Sequence, residues 1–228
     1  MTVTLITGAN KGLGYETARQ LIERGHTVYL GARNVERGEA AASKLGGQFV
    51  QLEVTDDASV ETALGLIAER EGHLDVLVNN AGISTAANVT GPVALKVFDT
   101  NAVGLIRVTE AALPLLVQSR YPVVVNVSSA LGSFWAVTNP ERRQFHFPSI
   151  IYGSSKSAVS MLTVQYAKAF PGIKFNAVEP GFTATDLTPF SGNGQPVEMG
   201  AEVIVRMATI GKDGPSGTFW EGEGELAW

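Results

Sequence analysis

The chain has 228 residues, of which 45% are hydrophobic, with 25 glycines and a formal net charge of −5. A chain of that length buries a sizeable core and fits one domain. The lack of cysteine excludes disulfides, thiolate metal sites and a cysteine nucleophile. The acidic balance, with no basic cluster longer than Arg142-Arg143, excludes nucleic-acid binding through a basic face.

The N-terminal run Thr2-Val3-Thr4-Leu5-Ile6 is β-branched and short. It is too short for a membrane span and lacks the basic flank of a signal peptide, so a cytoplasmic location away from membranes is expected. A strand is predicted over 3–7. Thr7-Gly8-Ala9-Asn10-Lys11-Gly12-Leu13-Gly14 follows at once, and a helical pattern runs over 13–24. Strand, glycine turn and helix in that order make an anion cradle, because the first free N–H groups of the helix point at a phosphate. The spacing is G-x-x-x-G-x-G with no G-K-[ST] ending, which removes the P-loop reading.

Further along, strands are predicted over 27–31, 48–54, 76–79, 123–127 and 174–178. Helices are predicted over 35–45, 58–70, 93–119 and 149–170, with Pro114 bending the third of these. Strands such as Val123-Val124-Val125-Asn126-Val127 read as almost unbroken apolar runs, which suits a parallel sheet covered on both faces. The expected architecture is α/β: a single-domain, Rossmann-like, doubly wound parallel sheet of about seven strands over 1–228.

The tip of the second strand, Tyr29-Leu30-Gly31-Ala32-Arg33-Asn34, carries no acid for a ribose 2′-hydroxyl. Arg33 stands just beyond it, and Lys11 adds a second cation on the same side of the cradle. Together these favour NADP over NAD. Chemistry concentrates after the fifth strand, in Ser128-Ser129 and in Tyr152-Gly153-Ser154-Ser155-Lys156, where residues four apart share a helix face. A lone Y-x-x-x-K pair is weak, but this one opens a helix bordering the strand ends, where open α/β sheets bind ligands.

Taken in order, Thr7-Gly8 through Gly14, Asn79-Asn80-Ala81-Gly82, Asn101, Ser129, Tyr152-x-x-x-Lys156 and Pro180-Gly181 with Thr185-Asp186 resemble the short-chain dehydrogenase/reductase family. Asn10-Lys11-Gly12 and Ala32-Arg33-Asn34 look most like its NADPH-dependent carbonyl reductases. The resemblance implies an NADP(H)-dependent reduction of a hydrophobic ketone or aldehyde, with Tyr152 as proton donor. Lys156 would lower the phenol and hold the nicotinamide ribose, Ser129 would hydrogen-bond the carbonyl oxygen, and Asn101 would place a relay water. Ser128 is the alternative catalytic serine. The implied cofactor contacts are Gly8, Asn10, Lys11, Gly12, Leu13 and Gly14 in the turn, and Arg33, Glu53 and Val54 around the adenosine. Asn80, Ala81 and Gly82 would line the groove, joined by Tyr152, Lys156, Pro180, Gly181, Thr183 and Thr185 at the nicotinamide end.

Three departures from the family pattern stand out. Glu53 replaces the usual Asp beside the adenine. Ser129 and Tyr152 are 23 residues apart, longer than is usual in the family. Glu179, before Pro180-Gly181, has no assigned role. The extra segment, 134–150, carries Phe134, Trp135, Phe145, His146 and Phe147, which either contact substrate or pack the loop. The stretch 182–200 reads as a substrate lid. Trp135, Phe182 and Phe190 are the candidate substrate contacts. No His pair has metal-ligand spacing, so no metal is expected. The lack of G-x-S-x-G removes a serine hydrolase. The alternative from another class is a non-catalytic NADP-binding sensor on the same fold. A monomer and a homodimer both remain open, since the 134–150 segment lies beside a helix that builds dimers in the family.

Overall fold

All five residues of strand β1 (Val3–Thr7) are buried, and it lies inside the sheet between β2 (Thr27–Ala32) and β4 (Val76–Asn79). A computed structural model describes residues 1–84, 88–187 and 194–228. Beyond β2 lies β3 (Gln48–Gln51). On the other side of β4 follow β5 (Val123–Val127), β6 (Lys174–Val178), β7 (Thr218–Glu221) and β8 (Gly224–Glu225). Every pairing is parallel except β7 with β8, so the order is 3-2-1-4-5-6-7-8.

Successive residues of a strand point to opposite faces, and here both faces are apolar. Leu5, Leu77 and Val124 face one core layer, which also holds Ile67 of helix α3 (Asp57–Glu71) and Val159 of α7 (Ile150–Ala169). Their neighbours Ile6, Val78 and Val125 face the other, with Leu21 of α1 (Gly12–Glu23), Ala41 of α2 (Val35–Leu45) and Ile204 of α8 (Val197–Ala208). Cutting one such leucine to alanine costs about 2–5 kcal/mol. The expected doubly wound α/β sheet is therefore the one observed, with one strand more than seven.

Capping differs between the helices. Asn34 caps α2 by accepting from Arg37 N, and Asp56 caps α3 by accepting from Ala58 N and Ser59 N. Lys11, at the same position of α1, makes no side-chain cap bond, so the first N–H groups there are left for an outside acceptor.

Several boundaries differ from expectation. β3 stops at Gln51 rather than 54, because the chain turns and Asp56 N donates to Glu53 O. The helix expected over 93–119 is three pieces: α4 (Gly91–Phe98), a π-helical turn Asp99–Val103, and α5 (Gly104–Leu116). The irregularity falls on the π turn, and Pro114 is carried inside α5. Helices α6 (Phe134–Thr138) and α8 and strands β7 and β8 lie outside the elements predicted from sequence. α8 begins inside the stretch read as a lid, and residues 188–193, Phe190 among them, lie outside the described residues. Among the described residues no helix is long and apolar enough to cross a membrane.

Candidate active site

The strand order reverses at β1, whose neighbours β2 and β4 leave a crevice at their carboxyl ends. Polar groups close its floor. Thr7 Oγ1 accepts from Asn80 N at 3.0 Å and Ala81 N at 2.9 Å, and Asn80 Nδ2 donates to Thr7 O at 2.8 Å and Gly8 O at 3.2 Å. A Cβ at Gly14 would stand 2.5 Å from Asn80 Nδ2 and 2.7 Å from Gly8 O, so only glycine lets α1 approach this closely. Gly8, Asn10, Lys11 and Gly12 thus form one turn at the head of α1. Leu13 instead packs into the core on the α8 side, beside Gly200.

Arg33 extends from the end of β2, 73% exposed, with its guanidinium 3.8 Å from Glu53 Oε2. Glu53 Oε1 accepts from Thr55 N and Thr55 Oγ1, so the longer acid is anchored by its own turn. Val54 is buried against Gly104. Lys11 reaches across the turn to Asp186, 2.6 Å away, holding that carboxyl below the usual range. An ion pair this exposed contributes little and parts readily.

Ser129 follows β5 and opens a short 3-10 turn, accepting from Leu131 N at 3.3 Å. Tyr152 and Lys156 lie one turn apart on α7, the Lys156 ammonium 5.7 Å from the centre of the Tyr152 ring. Ser129 lies near the Tyr152 hydroxyl and favours its ionised form. Lys156 is buried, and its Nζ donates to Val127 O at 2.7 Å. Ser128 points away, bonded to Lys156 O and to Ser160 Oγ at 3.0 Å each, where it ties β5 to α7. Of the two serines, Ser129 is the one that meets Tyr152.

Asn101 sits on the π turn, a feature common at functional sites. Its side chain makes three bonds: Oδ1 accepts from Ile83 N, and Nδ2 donates to Ile83 O and to Ser155 Oγ. A Cβ at Gly82 would stand 3.4 Å from Asn101 Oδ1 and 3.5 Å from Lys156 Nζ. The missing side chain leaves a gap flanked by both groups.

The model of the short chain dehydrogenase family matches residues 2–195. (-)-Isopiperitenone reductase of Mentha piperita is 32% identical, over 98% of this chain and 97% of its own length. The chain belongs to the short-chain dehydrogenase family. Its fold is similar to that of salutaridine reductase from Papaver somniferum, with a TM-score of 0.85 and 29% identity over 96% of this chain and 99% of that one. It is also similar to the NADPH-bound carbonyl reductase from chicken fatty liver, with a TM-score of 0.86 and 27% identity over the whole of both chains.

In this short-chain dehydrogenase the electrostatics depart from the expectation that Lys156 lowers the Tyr152 phenol. Shielding of the hydroxyl pushes its pKa well up, the nearby Glu179 carboxylate adds to that, and the neighbouring Ser129 side chain opposes it. The Lys156 ammonium is itself pulled down to about 8 by burial, against the attraction of Glu179. One of the three ammonium protons goes to Val127 O.

Glu179, with no role assigned from sequence, takes a defined place in the structure. It is buried, and its carboxylate accepts from Ala130 N and from Gly181 N at 3.1 Å. An acid between an apolar strand and Pro-Gly was the available signal, since a buried carboxylate needs donors.

After Pro180-Gly181 the chain folds back over the glycine turn. Thr183 pairs with Gln195, Thr185 lies by Gly12, and Asp186 meets Lys11. The 134–150 segment is anchored on the far side of the sheet. Trp135 N donates to Trp228 O, and Arg142 binds Glu221 of β7 with both nitrogens while lying 5.4 Å from the Trp135 ring. The backbone at Trp135 is thereby tied to Trp228. Phe182 meets the segment through Arg143, whose guanidinium lies 4.9 Å from the ring.

Proposed function

We propose that this enzyme reduces the carbonyl group of a hydrophobic ketone or aldehyde with NADPH. The meeting of Ser129, Tyr152 and Lys156 at the crevice mouth carries the reading. The crevice fits a dinucleotide phosphate: α1 starts with uncapped N–H groups, and Gly14 lets the turn come close. Arg33, exposed at the tip of β2 with no acid in the β2 strand beside it, suits a 2′-phosphate, with Lys11 as a second cation. Gly8, Asn10, Gly12, Ala81 and Gly82 would line the dinucleotide, with Pro180, Gly181, Thr183 and Thr185 over its nicotinamide end. When bound, the nicotinamide supplies the hydride.

The chain's own groups handle the oxygen and its proton. A raised phenol pKa keeps the proton on Tyr152 at neutral pH, the form a reduction needs in its acid. Tyr152 gives that proton to the carbonyl oxygen, and Ser129 donates a second hydrogen bond to the charge growing there. The buried Lys156 ammonium then stabilises the phenolate that remains. The gap beside Gly82 suits a water returning the proton. The exposed rings of Phe182 and Phe147 give the mouth an apolar rim, which supports a hydrophobic substrate.

The test is a panel of aryl, cyclic and aliphatic ketones and aldehydes, followed by loss of NADPH absorbance. Turnover with NADPH and not NADH is expected. Binding of NADPH without turnover of any carbonyl would favour a sensor instead.

A further inference from the structure

The chain after β6 returns across the head of α1 and brings a carboxylate to the glycine turn. Asp186 Oδ2 lies 2.6 Å from Lys11 Nζ, and both side chains are mostly exposed. The segment carrying Asp186 is pinned just upstream. Gln195 N donates to Phe182 O at 2.9 Å, Ala184 N donates to Gln195 O at 3.0 Å, and Gln195 Nε2 donates to Thr183 Oγ1 at 3.3 Å. Thr185 lies against the turn itself, since a Cβ at Gly12 would stand 3.6 Å from Thr185 Cγ2. Lys11, by contrast, has a flexible four-carbon stem and three ammonium protons. It can swing from Asp186 to a phosphate at the same turn, while Asp186 stays with its pinned segment. A phosphate monoester carries about 1.5–2 negative charges at neutral pH against one for a carboxylate, so it is the stronger claimant.

We propose that Asp186 is a specificity-determining residue for the cofactor: it holds Lys11 in the free enzyme, and the 2′-phosphate of NADPH has to displace it. The proposal rests on the reading of Lys11 as a cation for that phosphate. Binding NADPH then breaks one exposed ion pair, and the carboxylate weakens NADPH binding by what that pair contributes. NADH has no 2′-phosphate to compete for Lys11, so its binding leaves the pair intact. Asp186 thus narrows the preference for NADPH that Arg33 and Lys11 create.

The test measures dissociation constants of NADPH and NADH at low salt for wild type, Asp186→Asn, Lys11→Met and the double variant. Asparagine keeps the shape and removes the charge, and both positions are exposed, so neither change threatens the fold. Asp186→Asn should bind NADPH about two- to fivefold more tightly, the range of an exposed ion pair, with NADH affinity unchanged. In the Lys11→Met background the same change should gain nothing, because no ammonium is left to release. A gain that persists there would come from the general field of the carboxylate and overturns the proposal, as does an equal gain for NADH. Unchanged NADPH binding by Asp186→Asn overturns it too. Weaker binding does the same, since Asp186 would then be holding Lys11 in place for the phosphate. Lys11→Met alone separates the two readings. If it weakens NADPH binding while Asp186→Asn fails to tighten it, only the role of Asp186 falls. If it leaves NADPH binding unchanged, the reading of Lys11 falls and takes the proposal with it.

Discussion

The guanidinium of Arg143 lies between two rings, 5.6 Å from the centre of Phe147 and 4.9 Å from that of Phe182. One cation thus ties the segment before α7 to the segment after β6, and both belong to the apolar rim of the cleft. Exposed cation–π contacts contribute about 0.5–1 kcal/mol each. Arg143→Ala is expected to raise KM for bulky hydrophobic ketones by roughly three- to tenfold. KM for small carbonyls and NADPH affinity should stay unchanged. Steady-state kinetics on a size-graded ketone series checks this, and an equal rise for all substrates would show that Arg143 does not shape the rim.

Arg33 bears on the choice of cofactor. Its guanidinium is exposed and only loosely paired with Glu53 at 3.8 Å, so a phosphate can take it over. A charge-assisted bond of this type is worth roughly 1.5–3 kcal/mol. Arg33→Asp should weaken NADPH binding about 10- to 100-fold while NADH binding holds or improves. Fluorescence titration with each dinucleotide measures it. Equal affinity of the wild-type enzyme for both would end the assignment.

Tyr152→Phe removes the hydroxyl and keeps the ring. Turnover should fall about 10²–10⁴-fold, with NADPH affinity and melting temperature little changed. Retention of more than half the wild-type rate would place the acid elsewhere.

What could be read in advance follows the range of the forces involved. The β1 turn, the buried strands and the Tyr152–Lys156 spacing are local patterns, and they appear where expected. α8 was hidden because Val197 follows a stretch rich in Gly, Ser, Thr and Pro, although Ala201, Ile204, Val205 and Ala208 repeat on one helical face. The π turn left no composition signal, since Asp99–Val103 is held by backbone bonds and by Asn101 binding Ile83. Glu179 was visible as a residue and silent as to role. Its partner Ala130 lies 49 positions away in sequence and meets it only because β5 and β6 are neighbours. The link between Lys11 and Asp186, 175 positions apart, was hidden for the same reason.

Lys156 offers a prediction about stability. In the folded protein its pKa is drawn from 10.5 down to about 8, chiefly by burial. Below about pH 8 the ammonium is charged in both states, so folding removes a charge from water and its penalty is fully present. Between about 8 and 10.5 the unfolded chain binds more protons than the folded one, so stability rises with pH there. Lys156→Met abolishes that titration. It also strips Val127 O of its donor, an offset of about 1–3 kcal/mol that does not vary with pH. The difference in unfolding free energy, wild type minus variant, should therefore climb from pH 8 to pH 10.5 by an amount on the order of 3 kcal/mol. Urea unfolding of both proteins across that range measures the climb, and the constant offset drops out. A flat difference would mean that Lys156 keeps its ordinary pKa in the fold. The same variant should lose at least about 100-fold in turnover, because the phenolate left on Tyr152 has no cation beside it.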